Sequence, residues 1–145
     1  MNDPRGNNQS AALGVDTSEQ RRQGRHAHDT RQTRQFVTDA ARLLADLHCH
    51  DVVIFDLREL SDVTDYVVIG SGTSDRQIHS VSQDVEQLAR QSDLERFGRE
   101  VDGAATWLVL DFVDVVVHLF EPNTRAHYDI EMMWDDAPRV DWQRK

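Results

Sequence analysis

The chain has 145 residues and 39% of them are hydrophobic, which is enough for one domain with a buried core. Its single cysteine, Cys49, excludes a disulfide framework or a cysteine-rich zinc site, and no apolar run approaches the roughly 20 residues that a membrane span requires. The net charge of -10 repels the phosphate backbone, so we predict no direct sequence-specific binding of nucleic acid. A basic protein is an electrostatically favourable partner.

The first 31 residues differ in composition from the rest of the chain. They are rich in Asn, Gln, Ser, Gly and Arg, with five arginines against four acidic residues. Residues 32–145 carry 11 basic and 22 acidic side chains. We therefore predict a disordered polar arm over 1–31, one domain over 32–134 and an irregular tail over 135–145. The arm lacks a hydrophobic secretory segment, and the prediction is a cytoplasmic protein that does not associate with membranes.

Hydrophobic periodicity predicts the first half of the domain. Apolar residues at helical spacing indicate a helix over about 32–49, and two short β-branched runs at 51–57 and 65–70 indicate buried strands. The spacing of Ile78, Val81, Val85 and Leu88 then predicts a second helix over 75–91.

The second half is predicted to complete the sheet. A short edge strand ends at Gly103, and strands at 106–111 and 114–120 follow, separated by two residues as in an antiparallel hairpin. Pro122 and Asn123 are typical of a helix start, with Ile130 and Met133 expected on one face of that helix. The fold class is therefore α/β (α+β), a single mixed sheet of four or five strands covered by helices.

The stretch "VVIGSGTSDRQ" raises the question of a phosphate-binding loop, because a strand delivers glycines to a helix start. A phosphate site usually has a lysine beside such glycines, and no lysine occurs before Lys145. Ser74 to Gln77 instead has the S-x-x-Q form of a helix-capping box. The stretch is more typical of a structural corner than of a nucleotide site.

Other chemistries have weaker signals. A nucleotidyltransferase would need clustered carboxylates, and only Asp111 and Asp114, placed opposite each other across the hairpin, suggest them. His48 and His50 do not share a helix face as metal ligands would. We predict no catalytic residue, no metal site and no cofactor.

The hairpin carries a more informative pattern. With a two-residue loop, Trp107 pairs with His118 and Asp111 with Asp114, and alternation sorts the side chains onto two faces. One face is aliphatic and belongs to the core. The other combines an aromatic residue, two acids and an imidazole, as a recognition surface does: Trp107, Val109, Asp111, Asp114, Val116 and His118. Phe112 and Val113 are poor residues for a tight turn, so a wider loop with a shifted register is an alternative.

Three segments resemble one known family. "VTDYVVIGSGTSDRQI", "DGAATWLVLDFVDVVVHLF" and "RAHYDIEMMW" are similar, in this order and spacing, to the ribosomal silencing factor family, also called Iojap-like proteins. The resemblance spans residues 34–134. It departs at Val113, which stands where the family usually has a turn glycine.

The resemblance implies a translation repressor without enzymatic activity and with a nucleotidyltransferase-like fold that lacks the catalytic acids. Members bind the fourteenth protein of the large ribosomal subunit and block its joining to the small subunit under nutrient limitation. The residues it assigns to partner binding are Trp107, Asp111, Asp114, His118, Tyr128 and Glu131. Those it assigns to structural motifs are Asp65, Ser74, Arg76, Gly103, Arg125 and Trp134. A magnesium-dependent nucleotidyltransferase and a homodimeric adaptor are the alternative functions.

Overall fold

A computed structural model describes residues 30–94, 98–101 and 106–144. Most of the predicted polar arm and the predicted strand end at Gly103 lie outside these residues. The element order is helix, two strands, helix, three strands and a helical end, as predicted. The bounds are α1 Thr30–Asp46, β1 His50–Asp56, β2 Tyr66–Ser71, α2 Asp75–Gln91, β3 Gly98–Val101, β4 Trp107–Asp111, β5 Val115–Phe120, α3 Pro122–Tyr128 and a 3₁₀ helix Ile130–Trp134.

The five strands form one mixed sheet in the order β1-β2-β5-β4-β3. Only β2 and β5 are parallel, and the other neighbouring pairs are antiparallel. The predicted α+β class with a single mixed sheet is confirmed. β2 is buried along its whole length, whereas β1 is an edge strand with exposed first residues and buried Ile54 and Phe55, so the prediction of a buried strand holds for β2 and only in part for β1.

Two apolar clusters lie on opposite faces of the sheet. The larger one joins α1 and α2 to the strands through residues such as Phe36, Leu44 and Ile78. The smaller one, around Phe55 and Phe120, packs against Ile130, Trp134 and Ala137 from the chain that follows α3. The sheet therefore has a helix-covered face and a face that the short C-terminal elements cover in part. We call the second one the open face.

α1 ends three residues earlier than predicted, at Asp46. His48 takes a φ of 71°, and its N–H donates to Ala45 O while the N–H of Cys49 donates to Leu44 O. These bonds are those of a Schellman cap, in which one residue in the left-handed region closes the helix. His48 is therefore in the cap, and His50 already belongs to β1.

Among the described residues, no helix has both the length and the hydrophobicity that a bilayer crossing requires.

Candidate recognition site

The β4–β5 hairpin has a different register from the one predicted for a two-residue loop. Trp107 lies opposite Phe120 and Asp111 lies opposite Val116, a shift of two residues. The predicted pairs Trp107–His118 and Asp111–Asp114 are therefore wrong, and the alternative of a shifted register is confirmed. Because two residues is one full period of a strand, Trp107, Val109 and His118 keep the face predicted for them.

The cause of the shift is the conformation of Val113. Its φ is 73°, and the N–H of Asp114 donates to Phe112 O at 2.9 Å, so three residues reverse the chain. The Asp111 carboxylate accepts the Val113 N–H at 2.8 Å. A β-branched residue rarely adopts a positive φ, so the tip stores backbone strain. Sequence alternation cannot detect such a turn.

Asp114 does not lie on the recognition face. It is 3% exposed, and its carbonyl oxygen accepts the N–H groups of Asp65 and Tyr66. The prediction that places Asp114 at a partner surface is contradicted by this burial. Asp65, expected to be structural, also accepts the N–H of Leu57 through its carbonyl oxygen and so joins β1, β2 and the hairpin tip.

An aromatic cluster occupies the end of the open face where β5 leads into α3. Trp107 stacks on Phe120 with ring centroids 4.7 Å apart and contacts Tyr128 at 5.0 Å. Its indole N–H donates to Nδ1 of His118 at 3.1 Å. Trp134 closes the far side, 6.2 Å from the His118 ring. The tertiary structure thus brings together four residues predicted from two separate motifs, and it adds Phe120, which strand alternation alone does not single out.

His118 is neutral in this cluster at physiological pH. Burial among aromatic rings lowers the pKa of the imidazole to about 4, because the charged form would lose its water. Nδ1 is then an acceptor for the indole of Trp107. Since the ring is uncharged, this part of the site favours apolar contact over recognition of an anion.

Exposed apolar side chains surround the cluster. Tyr128 is 55% exposed, and Met132 and Met133 are 72% and 68% exposed. Met133 was expected to share one helix face with Ile130. Asp129, with φ 46° and ψ 49°, instead ends α3, and the chain continues as the 3₁₀ helix with Ile130 packed inward and Met133 outward. Large exposed apolar side chains next to aromatic rings are typical of protein interfaces.

Arg125 joins α3 to the 3₁₀ helix and to the sheet. Its guanidinium donates to both carboxylate oxygens of Glu131, at 2.8 and 3.1 Å, and to the Ser71 hydroxyl at 2.8 Å. Glu131 was expected to contact a partner, and here its carboxylate is paired within the chain. The two-point geometry orients the 3₁₀ helix relative to β2.

The glycine corner between β2 and α2 has a structural arrangement. Ser74 caps α2, because its side-chain oxygen accepts the Gln77 N–H at 3.1 Å. The Gln77 amide oxygen accepts the N–H of Thr73. In a capping box it would accept the N–H of the cap residue, Ser74, so the predicted box is formed only in part. A Cβ on Gly72 would lie 2.7 Å from Ile78, so this glycine permits close packing. Arg76 is exposed on the first turn of α2.

The described residues give little support to the metal, thiol and nucleotidyltransferase chemistries considered above. There, no three His, Cys, Asp or Glu side chains converge as metal ligands would. Burial raises the pKa of the Cys49 thiol to about 11, which is unfavourable for a nucleophile. Asp111 and Asp114 do not face each other, so the pair suggested for a nucleotidyltransferase is not formed.

The fold and the site define an α+β protein with an uncharged aromatic cluster on the open face of its sheet. Comparison with known proteins agrees with this class. Residues 30–145 match the family described as "Ribosomal silencing factor during starvation". The chain belongs to this family of ribosome-directed regulators, which is non-enzymatic by name.

Individual relatives support the assignment. The chain is 32% identical over 102 residues to the ribosomal silencing factor RsfS of Bacillus subtilis. The matched region covers 70% of this chain and 86% of the relative. It is 33% identical over 98 residues to the mouse "Mitochondrial assembly of ribosomal large subunit protein 1", covering 63% of this chain and 42% of that protein. A crystal structure of a Chromobacterium violaceum protein is similar with a TM-score of 0.64 and 25% identity, covering 77% of this chain and 92% of that one.

Proposed function

We propose that this protein represses translation by binding the large ribosomal subunit through its fourteenth protein and obstructing the joining of the small subunit. Membership of the silencing-factor family supports the ribosome as its target. The assignment of the binding surface depends on one observation: the exposed side chains of Tyr128, Met132 and Met133 lie beside the half-buried Trp107 ring, which Tyr128 contacts. Such a mechanism needs a large contact surface and no turnover.

The composition of the open face suits a basic protein partner. Tyr128 and Met132 present apolar surface, and exposed carboxylates at Asp129, Asp135 and Asp136 lie on the same C-terminal segments. Aromatic residues are the commonest anchors of protein interfaces, while acidic neighbours attract a basic partner and accelerate its association. We assign partner contact to Trp107, Asp111 and Tyr128, with His118 supporting the Trp107 ring from inside.

Cosedimentation with purified large subunits tests this assignment. Tyr128→Ala removes a ring that is 55% exposed, and Leu60→Ala, at 54% exposure, is a matched control. β2 and β5 are parallel, so their first residues lie at the same end of the sheet. Leu60 comes before β2, whereas Tyr128 comes after β5, and the two side chains are therefore at opposite ends of the sheet. We expect Tyr128→Ala to weaken binding at least tenfold, which corresponds to about 1.4 kcal/mol, and Leu60→Ala to leave it unchanged.

Equal binding by both variants would contradict the proposed surface. Failure of the unmodified protein to sediment with large subunits would contradict the proposed partner. Subunit joining should be measured in the same preparations by density-gradient profiles. Sedimentation of the protein alone at several concentrations would show whether the same face also forms the homodimer suggested as an alternative. The proposed action places the protein in the cytoplasm with the ribosomes.

A further inference from the structure

The chain after the 3₁₀ helix crosses the edge of the sheet from one face to the other. Ala137 is 8% exposed and packs in the open-face cluster with Phe55. Val140, only three residues later, is 5% exposed and packs in the helix-side core. Residues 135–144, which we call the strap, therefore wrap around the outer edge of β1.

Backbone hydrogen bonds attach the strap to that edge. The N–H of Asp56 donates to Pro138 O at 2.8 Å, and the N–H of Val140 donates to Ile54 O at 3.0 Å. Between them Phe55 and Arg139 form an antiparallel bridge, with the guanidinium 5.4 Å from the ring centroid. The strap thus satisfies backbone groups that an uncovered edge strand would expose.

Trp142 anchors the far end of the strap to α1 and β1. Its indole N–H donates to Val52 O at 3.2 Å, and its own carbonyl oxygen accepts from Arg42 Nε at 2.7 Å. The ring packs against the helix-side core. Beyond it, Arg144 pairs with Asp46 at 3.0 Å, but both side chains are more than half exposed, so this pair contributes little.

The near end of the strap continues from the recognition site. Trp134 contacts the Phe55 ring at 5.8 Å and the His118 ring at 6.2 Å, and its carbonyl oxygen accepts the Ala137 N–H at 2.9 Å. The 3₁₀ helix that carries Trp134 has five residues and hydrogen bonds of 3.2 and 3.4 Å at its two ends. Such a short helix has little stability of its own and depends on external contacts.

We propose that the strap is a positioning element for the recognition face: its attachment to β1 and α1 holds Trp134 against the aromatic cluster, and its release uncouples the 3₁₀ helix from the site. The inference rests on the proposed function, because it concerns the binding competence of the same face. Detachment lowers the fraction of molecules with a formed site, and the apparent affinity falls by that fraction. Trp142 acts through Trp134 and does not itself touch the partner.

Two substitutions and a control test the strap. Trp142→Ala removes the anchor, Trp142→Phe keeps an aromatic ring but removes the indole N–H that donates to Val52, and Arg144→Ala removes the exposed ion pair as a control. If release leaves about a tenth of the molecules competent, Trp142→Ala weakens binding to large subunits about tenfold, Trp142→Phe less, and Arg144→Ala not at all. Faster amide exchange at Val140 and Asp56 should report the detachment.

A second readout separates positioning from general destabilisation. When Trp134 moves away, His118 gains water, and its pKa should rise from about 4 toward its ordinary value of 6.5 in an NMR titration of folded Trp142→Phe and Trp142→Ala. The inference is overturned if the strap amides exchange faster while the His118 titration and ribosome binding stay unchanged. If the unmodified protein does not sediment with large subunits, the proposed function fails, and the His118 titration alone decides whether the strap positions the site.

Discussion

Trp107 and His118 lie diagonally across two antiparallel strands, and the indole N–H of the first donates to Nδ1 of the second at 3.1 Å. The bond requires an uncharged imidazole, and the surrounding rings enforce that state by excluding water. The recognition face is therefore held together from within by a residue that is sensitive to pH, although the face itself is built for apolar contact.

Acid should weaken the fold through His118. The folded pKa of about 4 lies below the unfolded value of 6.5, so the unfolded chain takes up a proton that the folded protein does not. Stability from this group is complete above pH 6.5 and is lost as the pH falls toward 4, by about 3 kcal/mol in total. Urea denaturation at steps from pH 7.5 to 4 measures it.

His118→Asn supplies the comparison, since the amide is polar but does not titrate. Its stability should change less over this pH range than that of the unmodified protein. Equal pH dependence of the two proteins would show that His118 is not the titrating group.

Val113→Gly should stabilise the protein. Glycine adopts the φ of 73° without the steric strain that a β-branched residue suffers, and we expect a gain of about 1 kcal/mol in the free energy of unfolding. Val113→Ala keeps a Cβ and should give no comparable gain. Thermal and urea denaturation check this, and a loss of stability in Val113→Gly would mean that packing of the half-buried valine outweighs the backbone strain.

Gly72→Ala should destabilise the corner between β2 and α2. The added methyl group would lie 2.7 Å from Ile78 Cγ1, and overpacking of this kind costs about 1–3 kcal/mol. Gly98→Ala in β3 is the matched control, because among the described residues beyond its chain neighbours no atom lies within 4 Å of the added Cβ. Similar midpoints of urea unfolding for the two variants would contradict the close packing at Gly72.

The pair Arg125–Glu131 should contribute measurable coupling. Its side chains are 12% and 26% exposed, and the two-point geometry makes it stronger than a surface ion pair. A double-mutant cycle with Arg125→Met and Glu131→Gln should give a coupling free energy of about 1–2 kcal/mol. Arg125→Lys retains the positive charge but cannot donate two parallel hydrogen bonds to the carboxylate, so it should retain only part of the coupling free energy. A coupling near zero would show that α3 and the 3₁₀ helix are held by apolar contacts alone.

Sequence periodicity and capping residues are sufficient to predict the elements whose pattern lies within one segment of the chain. α2 was predicted with its observed bounds because its apolar spacing and its Ser74 cap both lie within one segment. The faces of Trp107 and His118 followed from strand alternation, which survives a shift of two residues. The family resemblance was equally local, since it rested on three short motifs.

Features that depend on single backbone angles and on distant contacts are visible only in the folded chain. The positive φ of Val113 fixed the hairpin register and left Asp114 buried, and the left-handed Asp129 turned Met133 outward. The strap gave no periodic signal because it crosses once from the core on one side of an edge strand to the core on the other side. Periodicity predicts which face of a strand a side chain occupies. Which segment of the chain packs against that face depends on the fold as a whole.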